Sequence, residues 1–226
     1  MIEFDETEQR MILKLVYYGP ALSGKTTNLL RLHDLLSTEG RGDLMMLDTK
    51  DDRTIFFDLL PFFLVAPGGL KIKVKVYTVP GQVRHDATRK AVLSRADSVA
   101  FIADSQLSEM TNNASSFENL ERNLAFVGID IERLPLVVQF NKRDLPCIMP
   151  EDEIRSVWGP TGVPVFMASA LNGWGVLETF RSLAELTYDS LDRRYALGER
   201  YGMPRDLFIE KLVRVPSGEE EMPHGA

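Results

Sequence analysis

One stretch of the chain narrows the choice of fold more than any other. Met11 to Tyr18 is apolar apart from Lys14 and runs directly into Gly19-Pro20-Ala21-Leu22-Ser23-Gly24-Lys25-Thr26. From Thr26 onward, Leu29, Leu30, Leu32 and Leu36 recur at helical spacing until Gly40. A buried strand, a glycine loop and an amphipathic helix in that order match the phosphate-loop pattern G-x-x-x-x-G-K-[ST]. The chemistry explains the residue types. Glycines let backbone N–H groups turn inward as an anion nest, and the helix N-terminus adds its positive dipole end. The loop residues Ala21, Leu22, Ser23 and Thr27 would then surround phosphate with their amides. Lys25 is expected to bridge the β- and γ-phosphates, and the Thr26 hydroxyl to bind Mg²⁺.

The rest of the chain continues the alternation. Lys71 to Tyr77 alternates strictly, with Lys71, Lys73 and Lys75 on one face and Ile72, Val74 and Val76 on the other. Pro67-Gly68-Gly69 marks a turn before it, so Ile55 to Val65 is expected to hold its antiparallel partner. Ser98–Ala103, Leu136–Phe140 and Val163–Met167 read as strands. Phe117–Val127, Ile154–Trp158 and Val176–Leu191 read as helices. The order implies a three-layer α/β/α domain on a mostly parallel six-stranded sheet with one antiparallel edge strand. The expected division is a domain over 1–191 and a C-terminal extension over 192–226, partly helical and ending in a disordered tail.

Asn141-Lys142-Arg143-Asp144 follows the Leu136–Phe140 strand, at the strand end where α/β ligand sites lie. Asp144 would accept hydrogen bonds from guanine N1–H and its 2-amino group. Adenine lacks those donors and would leave the carboxylate unpaired. Asn141 would meet the N7/O6 edge and the Lys142 stem would cover the base. Ser169-Ala170-Leu171, after the Val163–Met167 strand, resembles the third base-contacting segment of small GTPases; a plain loop is the other reading.

Composition trims the alternatives. The chain has 226 residues, a net charge of −7 and one cysteine. An acidic chain has no bulk attraction to nucleic acid, and none is expected as a partner. A single cysteine forms no internal disulfide, which suits a reducing compartment. No apolar stretch approaches the ~20 residues of a membrane helix, and neither terminus carries a lipidation motif. The expectation is a cytoplasmic protein with no integral membrane segment, polar or membrane-peripheral through partners, any membrane association coming through a partner or an amphipathic surface. His33 and His85 lack metal spacing, and the Lys71/Lys73/Lys75 stripe is either a solvated face or a partner surface.

With these motifs in place, Met11 to Leu191 resembles the Ras-like small GTPases, and more finely the bacterial MglA family. The finer likeness rests on Tyr17-Tyr18-Gly19-Pro20 with Gly24-Lys25-Thr26-Thr27-Asn28, on Asp52-Arg53-Thr54-Ile55-Phe56-Phe57-Asp58, and on Tyr77-Thr78-Val79-Pro80-Gly81-Gln82. Ala103-Asp104-Ser105 and Gln139 to Pro146 agree with it. The resemblance implies a GTP/GDP-binding, Mg²⁺-dependent switch that hydrolyses GTP slowly and acts in bacterial cell polarity or gliding motility. It implies a Roadblock-fold, MglB-like activating partner and effectors that read the GTP state. Thr54 becomes the first-switch threonine, with its hydroxyl on Mg²⁺ and its N–H on the γ-phosphate. Gly81 N–H would bind the γ-phosphate, and Gln82 would orient the attacking water. Arg53 resembles an internal arginine finger; the plainer reading is a surface charge near Asp51 and Asp52. Arg84 and Arg89 compete for the same role. Thr78 stands where Ras-like proteins carry an aspartate that supports Mg²⁺ through water. The same threonine occurs in MglA, so either Mg²⁺ binds more weakly or Asp58 or Asp52 compensates. The apolar run Ile55–Val65 has little period-two contrast, which fits either a strand that slides in register or an ordinary greasy strand interrupted at Pro61. A nucleotide-binding module with little turnover is the alternative function, and an interaction protein with a vestigial site is a third.

Overall fold

In the computed structural model of the chain, residues 3–47, 57–81 and 86–215 are described. The elements are β1 (Glu3–Asp5), β2 (Arg10–Tyr18), α1 (Lys25–Leu35), β3 (Met45–Leu47), β4 (Phe57–Val65), β5 (Lys71–Thr78), α2 (Asp86–Leu93) and β6 (Ser98–Asp104). There follow α3 (Met110–Phe126), β7 (Leu136–Asn141), α4 (Glu151–Trp158), β8 (Val165–Met167), α5 (Val176–Tyr195), α6 (Leu197–Tyr201) and α7 (Arg205–Leu212). The sheet runs β3-β4-β5-β2-β6-β7-β8, with β1 paired antiparallel to β2. The central strands β5, β2, β6, β7 and β8 are parallel, and β4 is antiparallel to β5.

The six expected strands are present, in a mixed sheet flanked by helices. The structure adds two three-residue strands, β1 and β3. Because β3 pairs with β4, the antiparallel strand is not the outermost one. Such short elements carry too few residues to show a period.

Alternation assigns each face its own core. On β2, Met11, Leu13, Leu15 and Tyr17 face one cluster with Leu29 and Leu32 of α1, Phe180 and Leu183 of α5, and Phe208 and Leu212 of α7. Val16 and Tyr18 face the other with Val92 of α2, Leu120 and Leu124 of α3, and Ile154 of α4. In β4, Leu60, Phe62 and Leu64 point into the first cluster, whereas Phe63 and Val65 are exposed. Lys73 lies over the Phe63 ring, its Nζ 4.9 Å from the centroid, so part of the lysine stripe shelters an outward aromatic. The described strand holds one register, with Leu60 opposite Val76.

Residues beyond Leu191 stay on the first face. Helix α5 continues to Tyr195, whose ring packs edge-on against Phe4 with centroids 5.0 Å apart. Tyr188 Oη donates to Met203 O at 2.8 Å, and Ser37 N donates to Arg214 O at 2.7 Å. The tail beyond Val215 lies outside the described residues. Among the described residues no helix is long and apolar enough to cross a membrane.

Candidate nucleotide site

The carboxyl ends of β2, β5, β6, β7 and β8 open on the same side of the sheet, because those strands are parallel. Among the described residues, the loops leaving them carry the phosphate-loop residues, Gly81 and the base-segment residues singled out by sequence.

The first loop joins β2 to α1. Gly24 sits at φ 94°, and a Cβ there would lie 2.2 Å from Asn141 Nδ2, so only glycine fits. Lys25 folds back over the loop, donating to Gly19 O at 3.0 Å and Pro20 O at 2.6 Å. It is 7% exposed, and the ion-pair contacts among the described residues give it no carboxylate. Burial, helped by the Arg89 charge and opposed by that of Asp58, pulls its pKa down to about 7. A buried ammonium held by carbonyls alone is costly, and an entering anion relieves that cost. Thr26 and Thr27 follow it in the first turn of α1, while Ala21, Leu22 and Ser23 form the loop crest.

Asp58 from β4 reaches this loop. Its carboxylate accepts from Thr26 Oγ1 at 2.6 Å and from Thr78 Oγ1 at 2.8 Å, and its N–H donates to Thr78 Oγ1 at 2.9 Å. Of the two carboxylates weighed for the neighbourhood of Thr78, Asp58 is the one seen there; Asp52 lies outside the described residues. Two hydroxyls and a carboxylate are hard oxygen donors, which suit Mg²⁺. Arg53, Thr54, Gln82, Arg84 and His85 also lie outside the described residues. Gly81 packs on the phosphate loop so closely that a Cβ would be 2.3 Å from Ala21 Cα.

The third group is anchored by Asn141. Its side chain donates to Ser23 O at 2.8 Å and accepts from Ala170 N at 2.8 Å, tying the phosphate loop to the loop after β8. Ser169 Oγ donates to Asp144 Oδ1. Lys142, held at φ 67°, pairs with the buried Asp104 at 2.6 Å. Arg31 of α1 donates to the carbonyls of Ala170 and Leu171, and Leu171 itself is exposed. Asn141, Lys142, Asp144, Ser169, Ala170 and Leu171 are therefore gathered at one end of the sheet.

Sequence reasoning missed several residues of this frame. Gln139 Nε2 donates to Asn28 Oδ1 at 3.0 Å and Thr179 Oγ1 at 2.9 Å, joining α1, β7 and α5. The signal is a glutamine inside an apolar strand run, which in the sequence alone reads only as part of the family likeness. Asp104 carried a similar clue as an acid ending the buried β6, and Arg31 carried none. Arg89, weighed as a finger, is instead 2% exposed and donates to Pro80 O, Gly81 O and Asn119 Oδ1. His33 lies 3.6 Å from Asp34 on α1, and Cys147 is exposed.

Comparison with known proteins fits this arrangement. Over 180 residues the chain is 44% identical to the mutual gliding-motility protein MglA of Myxococcus xanthus (strain DK1622), covering 80% of this chain and 92% of that protein. The chain belongs to the MglA family. A scan of protein-family models returned no match. The mixed α/β fold and the phosphate-loop strand–loop–helix agree with the small-GTPase fold of MglA.

Proposed function

We propose that this chain is a small GTPase switch that binds GTP and GDP with Mg²⁺, hydrolyses GTP, and controls bacterial cell polarity or gliding motility through effectors that bind its GTP form. The observation that carries this reading is the Asn141 bridge. One buried side chain holds the phosphate loop at Ser23 and the base loop at Ala170, so triphosphate and guanine recognition share one rigid frame.

The roles follow from placement. The amides of Gly19 and of Ala21 to Thr27, with the Lys25 ammonium, would hold the phosphates. Asp144, oriented by Ser169, would accept from guanine, while Lys142, steadied by Asp104, would cover the base. Thr26 and Thr54 would supply hydroxyls to Mg²⁺, with Asp58 acting through water. The metal would neutralise charge between the β- and γ-phosphates. Gly81 N–H would meet the γ-phosphate, Gln82 would orient water, and Arg53 would act as an internal finger worth roughly 10³–10⁵ in rate. Asp58 beside Thr78 favours the hydrolysing reading over a module without turnover, because the carboxylate absent at position 78 is supplied from β4.

The expected activator is a Roadblock-fold, MglB-like protein. The expected setting is the cytoplasm, with polar or peripheral membrane placement through partners. Residues 1–191 form the GTPase domain, and 192–226 an extension whose helical part docks on it. Single-turnover hydrolysis of γ-labelled GTP tests the proposal. Slow Mg²⁺-dependent phosphate release, accelerated by the activator and lost in Gln82→Leu, is expected. Tight GTP retention with no release under any condition would favour the non-hydrolysing module.

A further inference from the structure

Arg89 presents an unusual combination. The residue is 2% exposed, and among the described residues no carboxylate lies within ion-pair distance of its guanidinium. Burying an unpaired cation costs far more than burying an apolar side chain of similar size. Space-filling between α2 and α3 therefore does not explain it. Its contacts do. Nε donates to Pro80 O at 2.9 Å, Nη2 to Gly81 O, and Nη1 to Asn119 Oδ1 at 2.7 Å. The Tyr18 ring covers it, 5.6 Å from the guanidinium carbon.

The Asn119 oxygen is itself held in place. It also accepts from Tyr18 Oη and from Asn123 Nδ2 at 3.2 Å. The Asn119 and Asn123 amides donate onward to Asp86 Oδ1, at 3.2 and 2.9 Å. Asp86 pairs with Lys90 at 2.7 Å, and that bond is the main reason its carboxyl lies well below the usual range, at about 2. The charge of Arg89 is thus answered at one remove, through two asparagines fixed by an ionised aspartate.

The backbone consequence lies at Gly81. A trans peptide carries its C=O and N–H on opposite sides. No cis peptide is present among the described residues. Holding Pro80 O against Arg89 therefore turns the Gly81 N–H away from the α2–α3 side. Gly81 at the same time rests on the backbone of Ala21 in the phosphate loop. Among the described residues no backbone carbonyl receives that N–H.

We propose that Arg89 is a positioning residue for nucleotide discrimination: it fixes the Pro80–Gly81 peptide so that the Gly81 amide is presented, ready-made, to the γ-phosphate of GTP. This rests on the proposed GTP-binding function. GDP has no γ-phosphate and does not use that amide. Arg89 accordingly sets the ratio of GTP to GDP affinity and leaves guanine recognition untouched.

The test is equilibrium titration of nucleotide-free full-length protein with fluorescent GDP and with a fluorescent non-hydrolysable GTP analogue. The proteins are wild type, Arg89→Lys, Arg89→Gln and Asn119→Ala. Lysine keeps the charge and stem but cannot fork across three acceptors. In both Arg89 variants the GTP-analogue affinity falls about tenfold or more, the worth of a charge-assisted hydrogen bond; GDP affinity stays within about twofold in Arg89→Lys, which keeps the charge felt at Lys25, and falls by clearly less than the GTP-analogue affinity in Arg89→Gln. Asn119→Ala, which leaves both loop contacts in place, shows a smaller change of the same sign. If Arg89→Gln fails to fold, Arg89→Lys and Asn119→Ala carry the test. Equal loss for both nucleotides, no loss for either, or a wild-type ratio in Arg89→Lys overturns the proposal. Failure of the wild type to bind either nucleotide would instead overturn the function on which it rests.

Discussion

Replacing Asn141 by alanine removes both ends of one bridge. The residue is 2% exposed, and its amide spans Ser23 O and Ala170 N at 2.8 Å each. Truncation strands a buried carbonyl and a buried N–H, each worth about 1–3 kcal/mol when left unpaired. Water entering the gap over Gly24 offsets part of that. The expected net loss is about 2–4 kcal/mol for nucleotide-free protein, a large share of the ~5–15 kcal/mol that holds a typical domain. In a chain of this size that lowers Tm by about 4–16 °C. Ligand linkage adds a second readout. GDP at a hundred times its Kd stabilises the wild type by about 2.7 kcal/mol, whereas a hundredfold weaker site at the same concentration gains only about 0.4 kcal/mol. Urea unfolding with and without GDP measures both quantities. A loss below about 1 kcal/mol without nucleotide, or an unchanged GDP increment, would refute the reasoning that one side chain couples the two loops.

Three further outcomes follow from other parts of the molecule. Phe208 of α7 is 1% exposed with its ring 5.5 Å from Tyr188, so Phe208→Ala should cost about 3–5 kcal/mol within a single cooperative unfolding transition; a separate early transition would show the extension to be independent. Burial lifts the Asp97 carboxyl from 3.8 to about 6, against the Lys14 N–H bond and the Lys14 and Arg194 charges. The fold therefore binds that proton more tightly than the unfolded chain, and stability falls as pH rises from 3.8 to about 6. Asp97→Asn keeps an acceptor for Lys14 N and cannot ionise, so it should gain about 1–3 kcal/mol over wild type at pH 7–8 and little near pH 4; a pH-independent difference in urea unfolding would contradict this. Asp58→Asn should weaken Mg²⁺-dependent retention of GDP about 10–100-fold, measured as release with and without chelator; equal Mg²⁺ dependence in variant and wild type would remove Asp58 from the metal's surroundings.

The strand–loop–helix at Met11–Leu36 was readable because Lys25, Asn28, Leu29 and Leu32 share one buried face of α1 and the glycines punctuate its start. The strands β6 and β7 were readable as continuous apolar runs, since they are buried on both sides. Helix α2 was not anticipated. Over Asp86–Leu93 only Arg89, Val92 and Leu93 are buried, and a buried arginine looks polar in sequence. The first turns of α3 were missed for a related reason. Met110–Ser116 is polar, and Asn113 is there to bond both backbone groups of Asp104 at the end of β6. In the site, residues that meet a ligand were legible because their types follow from its chemistry. The residues that hold those in place, such as Gln139, Asp104 and Arg31, were not, because partners 38 to 140 positions away in sequence define them.

The most direct test of the central claim is competition for one pocket. Fluorescent GDP bound to the full chain with Mg²⁺ is titrated with unlabelled GDP and with ADP. A site built around Asp144 and Asn141 rejects a base lacking the matching donors by about 10⁴-fold, so GDP should displace the probe near stoichiometrically and ADP should fail at millimolar concentration. Displacement by ADP at concentrations comparable to GDP would contradict the account.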